Sequence, residues 1–158
     1  MKTKILTLTL LIFVLFAATA MAAKPIIKAD QQYLDINTGL YMLRGNVYIE
    51  VKNRIITASQ AKISISTLEV WGSGGITVTQ GDIYFTGDNV YVYGTSDRAT
   101  IEGNTNFSRT NIKITADRVD YNWRNKNADF TGNVQILQNG NYSTADSIKY
   151  NLQTNTIL

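Results

Sequence analysis

Two short segments decide the fold: Thr115-Ala116-Asp117-Arg118-Val119-Asp120-Tyr121 and Gly132-Asn133-Val134-Gln135-Ile136. Versions of both segments recur along the chain with one constant period of 29 residues. The small residue inside the first segment recurs at Ala29, Ala58, Gly87, Ala116 and Ala145, and the glycine that begins the second recurs at Gly45, Gly74, Gly103 and Gly132. A fixed period of this length indicates a repeat architecture in which each unit packs against the next.

Each 29-residue unit is predicted to form two antiparallel β-strands joined by tight turns. Apolar and polar residues alternate between the turns, as in Val90-Tyr91-Val92-Tyr93, and this alternation is typical of half-buried strands. Turn-forming residues recur in two series. One series is Asn37-Thr38-Gly39, Ser66-Thr67, Thr95-Ser96-Asp97, Arg124-Asn125-Lys126 and Gln153-Thr154-Asn155; the other is Lys52-Asn53, Gly81-Asp82, Thr110-Asn111 and Asn139-Gly140. The predicted fold class is therefore all-β and solenoid-like.

Both strands of a unit carry a special feature at their midpoint. In the first strand the alternation slips by one residue at the Thr-Ala-Asp corner, so that Phe85 and Val90 have opposite parity, as at a β-bulge. In the second strand the recurring glycine lies on the inward parity, where we expect it to leave space along one line. We therefore expect each strand to cross from one sheet to a facing sheet, around an apolar interior.

The inward-facing apolar positions are the candidates for a binding site. They are Ile36, Val47, Ile49, Ile63, Ile65, Ile76, Val78, Val92, Ile101, Phe107, Tyr121, Trp123, Phe130, Val134 and Ile136. The alternative for such residues is a closed sandwich core. The sequence ends on Ile157-Leu158, halfway through a repeat and without a polar cap, and an uncapped sheet edge favours pairing with a partner.

Residues 1–22 are predicted to be a cleaved signal peptide, which leaves residues 23–158 as the mature domain. A basic start at Lys2 and Lys4 is followed by a long apolar run and by the small-x-small cleavage pattern Ala20-Met21-Ala22. The alternative is an uncleaved inner-membrane anchor, because Ile5 to Ala23 is close to the length that crosses a bilayer.

The composition argues against catalytic activity and against nucleic-acid binding. The chain has 15 Lys and Arg, 12 Asp and Glu, and a net charge of +3, which falls to about +1 once Lys2 and Lys4 are removed with the signal peptide. With no His and no Cys, the chain lacks imidazole and thiol nucleophiles and the usual zinc ligands. We therefore expect no enzymatic activity, no cofactor and no metal.

Aspartate follows the small residue of the corner at four of its five occurrences, with Ser59 as the exception. These residues are Asp30, Asp88, Asp117 and Asp146. Calcium-binding β-rolls require glycine-rich nonapeptides, which this sequence lacks. We therefore expect each aspartate to make a local Asx-type hydrogen bond at its corner.

A signal peptide followed by repeats of Thr-Ala-Asp-x-[Val/Ile]-x-Tyr and Gly-Asn-Val-x-Ile resembles the OstA-like/LptA periplasmic proteins of lipopolysaccharide export. The resemblance covers Ala29 to Leu158, and it is weakest where Gly75 replaces Asn, Gly87 replaces Ala and Thr105 replaces Val. It implies a twisted antiparallel β-jellyroll, V-shaped in section, in the periplasm of a Gram-negative bacterium. The inward positions would then hold the acyl chains of lipopolysaccharide.

The same resemblance implies partners. The domain would stack head to tail with itself, and edge to edge between an inner-membrane anchored jellyroll protein and the jellyroll of an outer-membrane translocon. Three alternatives remain: the anchored jellyroll subunit of the same system, an adhesive or structural β-solenoid that binds glycan or self-assembles, and an enzyme on a β-helix scaffold. The last lacks a convergent cluster of acids and bases.

Overall fold

The computed structural model describes residues 25–158, and the predicted signal peptide at 1–22 lies outside them. The described residues form eleven β-strands and one 3-10 turn at Gly94–Ser96. The strands are β1 (Ile26–Lys28), β2 (Gln31–Asp35), β3 (Leu40–Val51), β4 (Arg54–Ser64), β5 (Glu69–Gln80), β6 (Ile83–Tyr93), β7 (Arg98–Arg109), β8 (Ile112–Asn122), β9 (Asn127–Gln138), β10 (Asn141–Asn151) and β11 (Thr156–Ile157). Over this range no helix is long and apolar enough to cross a membrane.

All eleven strands belong to one antiparallel sheet. From β3 to β11 each strand pairs with the next strand in the sequence, while β1 and β2 pair with successive parts of β3. Turns connect the strands at the positions that the two series of turn residues predict. The all-β, antiparallel fold class is confirmed.

Every strand pairing from β3 to β10 is interrupted once, at the same level of the sheet. The register shifts at Arg44/Val47 in β3, for example, and at Glu102/Thr105 in β7. At this level β9 has two consecutive residues with positive φ, Gly132 at 78° and Asn133 at 48°, and β3, β5 and β7 have equivalent pairs. Only glycine, and to a lesser extent asparagine, adopts this left-handed conformation at little energetic cost. Bulges of this kind bend a strand, and we call their shared level the corner line.

The corner line divides the sheet into two arms. Arm A is the part of the strands that ends in the turns at 52–53, 81–82, 110–111 and 139–140. Arm B is the part that ends in the turns at 36–39, 65–68, 94–97, 123–126 and 152–155.

The two arms face each other. Phe85 in arm A and Tyr121 in arm B have ring centroids 5.6 Å apart, and Phe107 in arm A lies 5.4 Å from Tyr150 in arm B. The two facing sheets expected from the sequence are therefore two arms of one continuous sheet, because hydrogen bonding resumes on both sides of each bulge. We call the long side opposite the corner line the mouth.

The recurring glycines do not leave space in the interior, so this expectation was wrong. A Cβ atom at Gly45, Gly103 or Gly132 would lie 2.4, 2.3 or 2.4 Å from a carboxylate oxygen of the neighbouring strand. The expectation came from counting alternate residues along a strand, which gives the correct face only where the backbone is extended. Two successive left-handed residues turn the chain, so the glycine does not face the interior. The glycine is needed for its conformation and for the close approach of an aspartate side chain.

At the corner line, that aspartate accepts a hydrogen bond from the asparagine that follows the glycine. Asp88 accepts from Asn104 at 2.9 Å and Asp117 accepts from Asn133 at 2.8 Å, and Asp30 and Asn46 form the same bond. The partners lie on neighbouring strands, except that Asp30 lies between β1 and β2, so the expected local Asx-type bond is replaced by a clasp to β3, β7 or β9. Ser59 and Gly75 occupy the two positions of one such clasp, which explains why both depart from the repeat.

Replacing Asn133 tests the clasp. We expect Asn133→Ala to lower the free energy of unfolding by about 2 kcal/mol, because it removes a hydrogen bond and places alanine in the left-handed region. We expect Asn133→Gly to lower it by only about 1 kcal/mol, since glycine adopts this conformation freely. Urea unfolding followed by circular dichroism measures both, and equal losses would contradict this account of the corner.

Candidate functional site

The interior between the arms is apolar and contains most of the predicted site residues. Twelve of the fifteen positions are at most 9% exposed. They are Val47, Ile49, Ile63, Ile76, Val78, Val92, Ile101, Phe107, Tyr121, Phe130, Val134 and Ile136.

Three of the predicted positions lie elsewhere. Ile36 is 87% exposed and Ile65 is 58% exposed, because β2 ends at Asp35 and β4 ends at Ser64, so both isoleucines lie in turns of arm B. The prediction that they face the interior was wrong. Trp123 follows the end of β8 and is half-buried at the mouth, where it packs against the core.

The prediction missed the centre of the interior. Phe85 and Tyr150 are at most 1% exposed, and with Phe107, Tyr121 and Phe130 they form an aromatic cluster. The ring centroids of Phe85 and Phe107 lie 4.9 Å apart, and those of Phe107 and Phe130 lie 5.7 Å apart.

The repeat contains the signal that would have found both residues. Phe85 occupies the same position in its unit as the buried Ile114 does in the next unit. Tyr150 likewise occupies the position of Tyr121, one unit later. Superimposing the units, rather than following the alternation within each strand, therefore places both aromatic side chains inside.

Side chains alone join the arms along the mouth. Between residues 25 and 158 no backbone hydrogen bond connects arm A to arm B there. The guanidinium carbon of Arg54 lies 4.4 Å from the ring centroid of Trp123, and the Arg109 guanidinium donates to the carbonyl oxygen of Leu152. The Trp123 indole N–H in turn donates to Asp97 at 2.8 Å. The interior is thus closed by a few contacts rather than by strand pairing.

Among the residues that the structure describes, no Asp, Glu, Lys or Arg side chain is fully buried in the interior. Burial raises the pKa of the phenols of Tyr121 and Tyr150 above their ordinary value, so both remain neutral at physiological pH. Arg109, at the rim, pairs with Asp82 at 2.6 Å, and this bond raises the pKa of the guanidinium. In the described part of the chain, no group of three or more acidic side chains could hold a metal ion. The arrangement suits an apolar ligand.

A second concave region lies on the outer face of arm B. It encloses about 510 Å³ and is lined by Trp71, Tyr91 and Tyr93 together with polar and charged side chains. The rings of Trp71 and Tyr91 stack, with their centroids 5.1 Å apart and their planes 16° apart. This groove is separated from the interior by the backbone of the sheet.

Comparison with known proteins gives one family match. The model of the family described as "LptA/(LptD N-terminal domain) LPS transport protein" matches residues 26–156. Among solved structures, the chain is similar to LptH, the LptA homologous periplasmic component of the lipopolysaccharide transport device from Pseudomonas aeruginosa. The identity is 14%, the TM-score is 0.36, and the match covers 85% of this chain and 80% of that chain. No curated protein sequence matches the chain. The residues of the family match run from β1 to β11 and contain both arms.

Proposed function

The chain belongs to the LptA/(LptD N-terminal domain) family of LPS transport proteins, and on this premise we propose that it carries lipopolysaccharide across the periplasm without catalysing a reaction. Its acyl chains would lie between arm A and arm B. The observation that carries the proposal is the apolar interior, which the corner line closes on one side and which only side chains close at the mouth.

The architecture allows the interior to open without unfolding. Each strand runs through both arms, so the arms can separate by a hinge motion at the corner line while the strand pairing within each arm is kept. Each left-handed pair of the corner line contains a glycine, and in β5 both residues, Gly74 and Gly75, are glycines, which provide backbone freedom for such a motion. Opening would break the two mouth contacts and part of the aromatic cluster.

The energetics favour an acyl chain as the ligand. Exposing an acyl chain to water costs about 0.8 kcal/mol for each CH₂ group, or about 10 kcal/mol for a twelve-carbon chain. In the structure the same surface is covered by Phe107, Phe130 and Tyr150, whose side chains are fully buried. A lipid that enters between the arms exchanges contacts between aromatic rings for contacts with its own chains, and neither state exposes the interior to water.

The N-terminal end of arm B supports stacking against a second jellyroll. Residues of arm B pack on arm A residues from earlier in the sequence, as Tyr121 does on Phe85. By this offset, the arm B parts of β2 and β3 are the least covered by arm A among the described residues, and Leu34 and Tyr41 there are 48% and 41% exposed. Five large apolar side chains of β2, β3 and the neighbouring arm B turns are 41–87% exposed, and we call them the N-terminal patch: Leu34, Ile36, Tyr41, Ile65 and Leu68.

Arm A of β9 and β10 in a second copy would cover this patch in the same way as arm A covers arm B within one chain. Head-to-tail self-association would thus continue the interior from copy to copy. An inner-membrane anchored jellyroll and the jellyroll of an outer-membrane translocon would dock at the two ends by the same geometry.

A second candidate function is that of an adhesive or structural β-solenoid. The outer groove of arm B favours it, because the aromatic faces of Trp71 and Tyr91 beside charged and amide side chains suit a sugar ring. Such a protein would keep its interior sealed and free of lipid.

Photo-crosslinking tests the carrier function. We expect a benzophenone amino acid at Ile101, Phe107 or Phe130 to capture lipopolysaccharide in a Gram-negative host, because these side chains line the interior. The matched control is Tyr84, which precedes the buried Phe85 and faces outward with 39% exposure. Denaturing gels probed for lipopolysaccharide detect the adducts. Absence of capture at the interior positions, or equal capture at Tyr84, would overturn the proposal.

Charge in the N-terminal patch tests the stacking. We expect the double variant Ile36→Asp, Ile65→Asp to weaken self-association at least tenfold, because it places charges in an apolar interface. Tyr84→Asp is the control, since Tyr84 is 39% exposed on the outer face of the central strand β6, away from both docking ends. Sedimentation velocity over a range of concentrations measures the association, and an equal effect of both variants would contradict head-to-tail docking.

The N-terminus of the mature protein tests whether the protein is exported to the periplasm with its signal peptide removed. We expect mass spectrometry of the protein from a periplasmic fraction to give a chain that starts at Ala23, after removal of residues 1–22. Retention of those residues in a membrane fraction would instead identify the anchored jellyroll subunit of the same system.

A further inference from the structure

Arg54 projects into the rim of the apolar interior. It is the first residue of β4 and shares its parity with the buried Ile56 and Ala58, so its side chain points inward. Its guanidinium lies 4.4 Å from the ring centroid of Trp123 on the opposite arm. Arg54 therefore spans the mouth as a cation–π contact rather than as part of an ion pair.

Among residues 25–158, the guanidinium of Arg54 forms no ion pair. No carboxylate of residues 25–158 lies within salt-bridge distance of it, whereas Arg109, the other arginine of the mouth, pairs with Asp82 at 2.6 Å. Asp97, which orients the Trp123 indole, forms its own ion pair with Arg124. A half-buried guanidinium without an ion-pair partner is unusual, because desolvation of a charge is normally offset by pairing. Asp97 acts on Arg54 only at a distance, where its charge raises the pKa of the guanidinium against the larger effect of burial.

Two polar atoms at this position also lack hydrogen-bond partners. The Arg54 Nε and the Tyr121 hydroxyl are both buried and both unpaired, and the one side-chain hydrogen bond of Arg54 is a long 3.4 Å contact to Gln80. Burial lowers the pKa of Arg54 and raises that of Tyr121, while the charge of Arg54 acts to lower the pKa of Tyr121. Arg54 and Tyr121 are near enough for the charge of each to act on the pKa of the other, and each offers an unsatisfied donor that an oxyanion can accept from.

We propose that Arg54 and Tyr121 form an anion-binding position at the mouth, which takes the phosphate or carboxylate headgroup of an amphiphile whose chains lie between the arms. The inference rests on the carrier function proposed above. Guanidinium suits this role because it binds two oxygens of one oxyanion at once. In the structure Arg54 rests on Trp123 and closes the mouth; on binding of a lipid, Arg54 turns from the ring to the headgroup.

The proposed movement of Arg54 from the Trp123 ring to the headgroup explains why Arg54 forms no ion pair. A carboxylate partner for Arg54 would compete with the headgroup and would have to be displaced on each loading event. The Trp123 ring, in contrast, holds the guanidinium by a weaker cation–π contact, which a charged headgroup can replace. The same side chain can thus close the empty interior and recognise its cargo.

Tryptophan fluorescence tests the position directly. The chain has two tryptophans, so Trp71→Phe leaves Trp123 as the reporter at the mouth. In this background we expect Arg54→Gln to weaken binding of dodecyl phosphate about tenfold to hundredfold, in line with hydrogen bonds to a charged group. We expect binding of neutral dodecyl maltoside to change less than threefold. Arg54→Lys, which keeps the charge but not the planar fork, should fall between.

The control variant is Arg44→Gln. Arg44 also lies over an aromatic ring, that of Tyr33 at 5.8 Å, but it is on the outer face of the sheet. Arg44→Gln should leave the affinities for dodecyl phosphate and dodecyl maltoside unchanged. Thermal melts should show that all variants are folded at the temperature of the titration.

The outcomes separate the two proposals. If the parent protein binds neither dodecyl ligand, the carrier function fails. If it binds both and Arg54→Gln affects them equally, the carrier function stands and the anion-binding position is overturned. If inorganic phosphate alone shifts the Trp123 signal in an Arg54-dependent way, the ligand is a free anion, and the lipid-headgroup part is overturned.

Discussion

The architecture depends on one backbone constraint, the bend that every long strand makes at the corner line. In β3, β5, β7 and β9 two consecutive left-handed residues, such as Gly103 and Asn104, form this bend, while the strands between them are interrupted at the same level by the register shift. At three of these left-handed pairs an aspartate clasps the asparagine. Because every long strand bends at the same level, one sheet becomes two facing arms. The apolar interior, the mouth and the side-chain contacts across it all follow from that bend.

The sequence predicted the repeat, the turns and most of the interior because these features are local and periodic. Alternation alone could not show where a strand ends, so Ile36 and Ile65 were wrongly expected inside. Parity also failed at Gly45, where left-handed backbone turns the chain away from the extended geometry that parity assumes. In both cases the error came from extending a regular strand pattern into residues with a different backbone conformation.

Contacts between the arms could not be read from the sequence, since they depend on the twist of the sheet. Phe107 meets Tyr150 across the interior, and Arg54 meets Trp123 at the mouth, although each pair is far apart in the chain. Neither separation is a multiple of the repeat. In the sequence Arg54 is simply the residue after a turn, and only the facing arm reveals that its charge is half-buried and unpaired.

The distribution of unsatisfied groups indicates which part of the fold is built to change. Strand pairing resumes on both sides of the corner line, and the clasps fix the bend, so the two arms behave as stable units. At the mouth, by contrast, Arg54 lacks a counter-ion and Tyr121 lacks a hydrogen-bond partner. A structure that pairs its strands fully and leaves a guanidinium unpaired at the rim of an apolar interior is least stable where a charged amphiphile would enter. Opening at that side therefore gives up the weakest contacts, and the ligand itself can replace them.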